Sequence, residues 1–133
     1  MSYFKAFDSW NLAKQSIEVR SYSSPHIDVG EVRWASFGVN VGSEIDGKGE
    51  FFVRPCLILS VIGSKRAIVL PITSKIKTDE GYMSIEVAGR IDTLCINQIR
   101  SISQKRIYRR IGKISKARLI EIRKEAGAYL EIV

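Results

Sequence analysis

The sequence predicts a mainly β domain with flanking helices: a small, strongly curved barrel carrying a helix at each end. Three observations lead there. Five or six short apolar runs are separated by Gly, Pro and Ser turns, and the two longest abut across Gly63-Ser64. The two ends of the chain instead repeat apolar residues at helical spacing. A length of 133 residues suits one domain with one core. The order strand, long loop, hairpin, strand, strand, helix is compatible with an SH3-like barrel.

The N-terminal helix is expected over residues 3–20, with Phe4, Phe7, Trp10, Ala13 and Ile17 on one face. It reads as a helix packed on the outside of the domain, with a dimer or partner contact as its other use. A turn-rich connector follows, broken at Ser23-Ser24-Pro25, and His26 within it reads as solvated or held by one hydrogen bond. Glu31 to Phe37 alternates as a first strand. The loop from Gly38 to Glu50 contains Gly38, Gly42, Gly47 and Gly49, but it lacks the Gly-Lys-Ser/Thr ending and following helix of a phosphate-binding P-loop. It is either a solvated surface loop or a flap over Arg54.

Phe51 to Ile62 and Ala67 to Ser74 form the expected hairpin. Gly63-Ser64 fits a two-residue type II′ turn, which sets Ile62 opposite Lys65 and Arg54 opposite Thr73 on one sheet face. An odd-length loop would separate that pair. Pro55 and Pro71 sit near strand ends, where a lost ladder donor is tolerated. Lys75 to Gly81 is then a charged turn, Tyr82 to Val87 a strand and Ala88 to Asp92 a turn. Thr93 to Ser103 reads as one continuous strand, with Leu94, Ile96, Gln98, Arg100 and Ile102 on one face and Cys95, Asn97 and Ile99 on the other. Lys105 to Ile114 is the most basic stretch, either an RNA-facing surface or a solvated approach to the last helix. Ser115 is the expected N-cap of that helix, Lys116 to Leu130, whose buried stripe is Leu119, Ile122, Ala126 and Tyr129 or Leu130.

Lysine and arginine number 21 against 14 aspartates and glutamates, a formal charge of +7, which points to a polyanionic partner, nucleic acid or an acidic protein. Cys56 and Cys95 each lie in an apolar stretch and read as buried free thiols of a reducing compartment. His26 is the only histidine and lies far from both thiols in sequence, so no metal-ligand spacing exists. No apolar run is long enough for a bilayer and no signal-peptide core is present, so a cytoplasmic chain without metal, cofactor or membrane contact is expected.

Five pieces occur in one order: Gly30-Glu31-Val32 with Trp34, Gly42-Ser43-Glu44, Arg54-Pro55, Pro71-Ile72-Thr73-Ser74 and Gln98-Ile99-Arg100-Ser101-Ile102. Together they resemble the MazF/PemK toxins of bacterial type II toxin–antitoxin pairs. The resemblance runs from about Gly30 to Leu130, dividing the chain into an N-terminal helical extension and linker, 1–29, and a barrel domain, 30–133. It implies a partly open, CcdB/PemK-type SH3-like barrel, homodimeric and cytoplasmic, that cleaves single-stranded RNA or mRNA at short sequences without a metal. It also implies a cognate antitoxin whose acidic segment occupies the RNA groove. Carried onto this sequence, the catalytic pair is Arg54 and Thr73. The RNA-contacting set is Ser43, Glu44, Lys48, Ser74, Lys75, Gln98, Arg109 and Arg110.

The sequence departs from the family pattern in places. Ile45 stands where glutamine is frequent, and the loop between Glu44 and Arg54 is longer than in compact members. Cys95 and Asn97 occupy the positions of an arginine and an aspartate in PemK-like relatives, which leaves the Arg54/Thr73 version of the site. Two other uses of the same barrel stay open: a non-catalytic toxin that binds a protein target, like the gyrase poisons, and an inactive RNA-binding or antitoxin-binding relative.

Overall fold

A central antiparallel pair, buried on both faces, carries the architecture of the computed structural model, which describes residues 5–22 and 26–132. In chain order the elements are α1 (Phe7–Glu18), β1 (Glu31–Ser36), β2 (Val53–Ile62), β3 (Arg66–Thr73), β4 (Tyr82–Val87), β5 (Arg90–Cys95), β6 (Arg100–Ser103), β7 (Ile107–Lys113) and α2 (Lys116–Tyr129). Single 3-10 turns occupy Ile96–Gln98 and Gln104–Arg106. The strands run in the order β4-β5-β3-β2-β1-β7, with β6 beside β3. The sheet curls until Val87 of β4 reaches Gly112 of β7, where an added Cβ would come within 2.6 Å, but no ladder joins those edges. The barrel is therefore open, as expected.

Strand alternation explains the two-sided core. Leu57, Leu59, Leu70 and Ile72 face one cluster with Ile85, Leu94 and the α2 residues Leu119, Ile122 and Ala126. Cys56, Ile58, Ala67 and Val69 face the other, with Ala35, Phe37, Ile102 and Ile107. Ser115 caps α2 by accepting from the Arg118 N–H, as its position predicts. Of the expected α2 stripe, Leu119, Ile122 and Ala126 are buried, while Tyr129 is largely exposed. Of the expected α1 stripe, Trp10 and Ile17 are buried, Phe7 is 49% exposed, and Phe4 lies outside the described residues. His26 is exposed, with its Nε2 3.1 Å from Asp28.

Four local readings need correction. The hairpin turn has three residues, because Ile62 pairs with Arg66 rather than Lys65. Its tip is held by Gln104, whose Nε2 donates to Gly63 and Arg66 carbonyls and whose N–H donates to the Lys65 carbonyl. A β-bulge between Ile58 and Ser60 then cancels the odd turn, so Leu57 pairs with Leu70 and Cys56 with Pro71, the register expected at the site end. Residues 93–103 do not form one strand: β5 and β6 both pair with the same edge of β3, and the 3-10 turn at Ile96–Gln98 steps out of the ladder between them. The expected two-face assignment breaks there. Finally, the turn at Ala88 is only a tight hairpin, with Arg90 already in β5, and the basic stretch 107–113 is a strand paired with β1.

A buried ionic cluster pins that last pairing. Glu31 accepts from the Asp28 N–H at 2.9 Å and from Arg33 Nε at 3.0 Å, and Arg110 Nη1 lies 3.5 Å from its second oxygen. Arg33 also reaches the carbonyls of Tyr108 and His26. Burial pushes the Glu31 carboxyl up, but these donors outweigh it and hold its pKa below the ordinary 4.5. A depressed carboxylate contributes stability above its unfolded pKa that disappears as pH falls through the folded one. Urea unfolding followed from pH 7 down to pH 3 is expected to lose stability below about pH 4.5, and Glu31→Gln should flatten that limb.

Glycine geometry yields a second test. Gly38 has φ +79°, and an added Cβ would lie 2.3 Å from the Trp10 indole, whereas Gly42 has φ +58° with open space around it. Gly42→Ala should cost about 1–2 kcal/mol, the left-handed penalty alone. Gly38→Ala should cost a further 1–3 kcal/mol or so from overpacking, read as a lower urea midpoint.

Candidate nucleic-acid interface

The mouth of the open barrel is a groove of about 510 Å³ between the β4–β5 hairpin and strands β1, β2 and β7. Its walls are apolar, with Trp34, Pro55, Ile72, Ile85 and Ile111, and its polar groups are Lys48, Arg54, Ser74, Arg90 and Asp92. Arg54 enters from β2, one residue inside the strand's start, and its side chain is half-buried. Its Nε donates to the Asp46 carbonyl at 2.7 Å and its Nη1 to the Ile72 carbonyl at 3.2 Å. Neither bond uses Nη2. Burial lowers its pKa, while Cys95 and Asp46 work against that shift, and a guanidinium, the most basic of side chains, stays charged.

Thr73 ends β3, directly paired with Thr93, and is 8% exposed. The ladder register continued past Cys56 and Pro71 sets Arg54 against Thr73, and the bond to Ile72 ties the guanidinium to the residue before it. The Thr73 hydroxyl oxygen accepts from the Lys75 N–H at 3.3 Å, which leaves its own hydrogen free to donate. Thr93 repeats the arrangement with the Lys77 N–H. Ser74 and Lys75 are exposed beside them. Cys95 is buried next to this cluster. Burial raises its pKa while Arg54 and Lys77 oppose the shift, so the thiol is neutral.

The glycine-rich loop is a folded structure, not a slack flap. Asn40 N–H donates to the Asp46 carboxylate, the Asn40 amide reaches Phe37 and Ile45 carbonyls, and Glu44 accepts from the Val41 N–H. Gln98 clamps it from the far side: its Oε1 accepts from the Ile45 N–H at 3.2 Å and its Nε2 donates to the Ser43 carbonyl. Both amide groups of Gln98 are thus engaged with the loop. Glu44 is exposed, and its charge acts on Arg100, which lies over the Phe37 ring.

The structure therefore sorts the expected residues into three places. Arg54, Ser74 and Lys48 line one groove, with Thr73 and Lys75 at its edge. Ser43, Glu44 and Gln98 form a second group on the loop. Arg109 and Arg110 lie on β7, both exposed, with Arg110 turned to Glu31 rather than lining the groove. Sequence reasoning missed the groove wall formed by Arg90 and Asp92, joined at 3.2 Å, because 88–92 reads as a turn. The alternation Arg90, Asp92, Leu94 was the available signal. Among the described residues no cluster of His, Cys, Asp and Glu could hold a metal ion, and no helix is long and apolar enough to cross a membrane.

The fold is an open antiparallel barrel with a guanidinium in the groove at its mouth. The family model described as PemK-like, MazF-like toxin of type II toxin–antitoxin system matches residues 28–130, and the chain belongs to that family. No curated protein matches by sequence. Among solved structures, MazF of Deinococcus radiodurans aligns with TM-score 0.66 and 22% identity over 82% of this chain and all of its own. An endoribonuclease of a mycobacterial species, in complex with its cognate antitoxin, aligns with TM-score 0.62 and 12% identity over 81% of this chain and 98% of its own. A MazE–MazF structure from Deinococcus radiodurans aligns at 0.61 and 20%, over 83% of this chain and 100% of that one. At these identities the structures speak for the fold.

Loss of one hydrogen bond of this kind costs about 1 kcal/mol. Gln98→Ala is therefore expected to speed amide exchange at Ile45 roughly five-fold or more relative to β2 amides, measured by NMR.

Proposed function

We propose that this toxin-family chain is a metal-independent endoribonuclease acting on single-stranded RNA, with Arg54 and Thr73 at the scissile phosphate. The observation that carries the reading is the half-buried Arg54, fixed by two backbone carbonyls with Nη2 unused, one of them that of Ile72, the residue before Thr73, whose hydroxyl keeps its hydrogen free to donate. In the proposed reaction the ribose 2′-oxygen attacks the adjacent phosphorus and gives up its proton. The 5′-oxygen of the next nucleotide leaves and is protonated, so the products carry a 2′,3′-cyclic phosphate and a 5′-hydroxyl. Arg54 stabilises the charge gathering on the equatorial phosphoryl oxygens, using a fork of donors matched to phosphate. Thr73 donates to one of the same oxygens, and Ser74 and Lys48 hold the strand in the groove. Its apolar wall with Trp34 suits an unstacked base.

The loop group has a separate part. Ser43 and Glu44 read a neighbouring base edge from the loop that Gln98 holds in shape, and Lys75, Arg109 and Arg110 add positive field along the strand. The MazE–MazF and endoribonuclease–antitoxin structures support a cognate antitoxin as partner; in our reading its acidic segment covers the groove, and the working unit is a homodimer in the bacterial cytoplasm. The 1–29 extension and the 30–133 barrel act together in this reading.

Purified protein incubated with a long single-stranded RNA in EDTA should produce cuts with 5′-hydroxyl ends. Arg54→Ala and Thr73→Ala should each slow cleavage roughly 10²–10³-fold. Intact RNA from folded, antitoxin-free protein would reject the nuclease reading; DNA breaks in cells with intact RNA would select the gyrase-poison reading instead.

A further inference from the structure

The N-terminal segment does more than cover the barrel. The Lys5 ammonium lies 2.6 Å from the Asn40 carbonyl, 3.1 Å from the Gly42 carbonyl and 3.1 Å from Asp46 Oδ2. All three of its donors thus have acceptors in the 38–47 loop. Its side chain is 17% exposed, so solvent competes little for those donors. Asp46 is the junction. One carboxylate oxygen accepts from the Asn40 N–H at 2.6 Å and the other from Lys5, while its backbone carbonyl receives Arg54 Nε at 2.7 Å.

Helix α1 fixes the same loop at its neck. The Phe37 and Gly38 N–H groups both donate to the Phe52 carbonyl, closing the loop's base. Trp10 seats on Gly38 and meets the Phe52 ring edge-on at 5.6 Å, with Arg106 on its ring at 5.5 Å. At the helix's other end Arg20 donates to the Lys105 carbonyl and stacks on Tyr108, and Lys105 donates back to the Glu18 carbonyl. Gly47, next to Asp46, packs so tightly on the Phe52 backbone that no Cβ fits.

We propose that Lys5, held in place by α1, is a positioning residue for the site: through Asp46 it fixes the direction of the Arg54 guanidinium. An arginine side chain held at both Nε and Nη1 has its fork aimed, whereas a displaced Asp46 carbonyl leaves only the Nη1 bond to Ile72, about which the fork can swing. Gln98 holds the loop near Ser43 and Ile45, but nothing on that side touches the Asp46 carboxylate. The N-terminal segment is its cationic anchor.

This inference rests on the nuclease reading for its kinetic readout, and a second readout is independent of it. Lys5→Met keeps the aliphatic stem and removes the charge; Asp46→Asn keeps the backbone acceptor and weakens the tie. Each should lower kcat on RNA about 10- to 100-fold with KM within about two-fold, the pattern of a misaimed group. Lys5→Arg should recover most of the rate. In the same variants the Arg54 Nε–H resonance should lose its protection from exchange while the β2 and β3 amides keep theirs. Unchanged Arg54 protection in Lys5→Met and Asp46→Asn would overturn the proposal, whatever the rates. A fall in rate with KM rising in proportion would also overturn it, pointing to RNA binding by Lys5. If wild-type protein cuts no RNA, the nuclease reading fails and the Arg54 resonance alone decides the positioning role.

Discussion

The antiparallel pairing of β2 with β3 is the constraint on which the rest depends. It is buried from both sides, it supplies residues to both core clusters, and every other strand attaches directly or through a neighbour to one of its edges. Because side chains alternate, a slip of one residue would exchange the clusters and turn Leu57 and Leu70 away from α2. The bulge after Ile58 lets the outer half of the hairpin follow a three-residue turn, while the inner half keeps the register that pairs Cys56 with Pro71, two residues from Arg54 and Thr73. The bulge therefore separates the demands of the turn from those of the groove.

The manner in which Arg54 is held matters as much as its place. Its two contacts are backbone carbonyls, which orient a guanidinium without cancelling its charge. The nearest carboxylate, Asp46, spends its oxygens on Lys5 and the Asn40 N–H. A carboxylate paired face to face with Arg54 would compete with any phosphate for the same donors. The loop thus delivers a dipole to the arginine and keeps the anion for the lysine.

Much of this was readable from local patterns. Period-two alternation marks β1, long apolar runs bounded by turn residues mark β2 and β3, and helical spacing marks α2 with its Ser115 cap, because those residues report directly what is buried. Three features escaped because their causes are remote in sequence. The turn length depends on Gln104, some forty residues downstream of Gly63. The break at Ile96–Gln98 arises because two strands share one edge of β3, a fact about pairing rather than about Ile96, Asn97 or Gln98. Strand β7 hides behind exposed Arg109 and Arg110, since it lies at the sheet's end and buries little besides Ile107. The Cys56–Pro71 register two residues from Arg54 and Thr73 was legible through the hairpin, because the odd turn and the bulge together give the register that an even turn would. The Lys5 tie was not legible, because no periodicity connects residue 5 to residue 46.

The two cysteines give the molecule built-in clocks. Cys56 lies at the centre of one core cluster with no exposure and a pKa pushed to about 12 by burial, against the pull of Arg33. Cys95 ends β5 next to Arg54, at 3% exposure. A thiol reagent reaches either sulfur only when the surrounding structure opens and a thiolate forms. The labelling rate of Cys56 thus counts dissolution of the whole hairpin, and that of Cys95 counts partings of β5 from β3 at the groove floor. The ratio of the two rates separates breathing of the groove from global unfolding, in one unmodified chain.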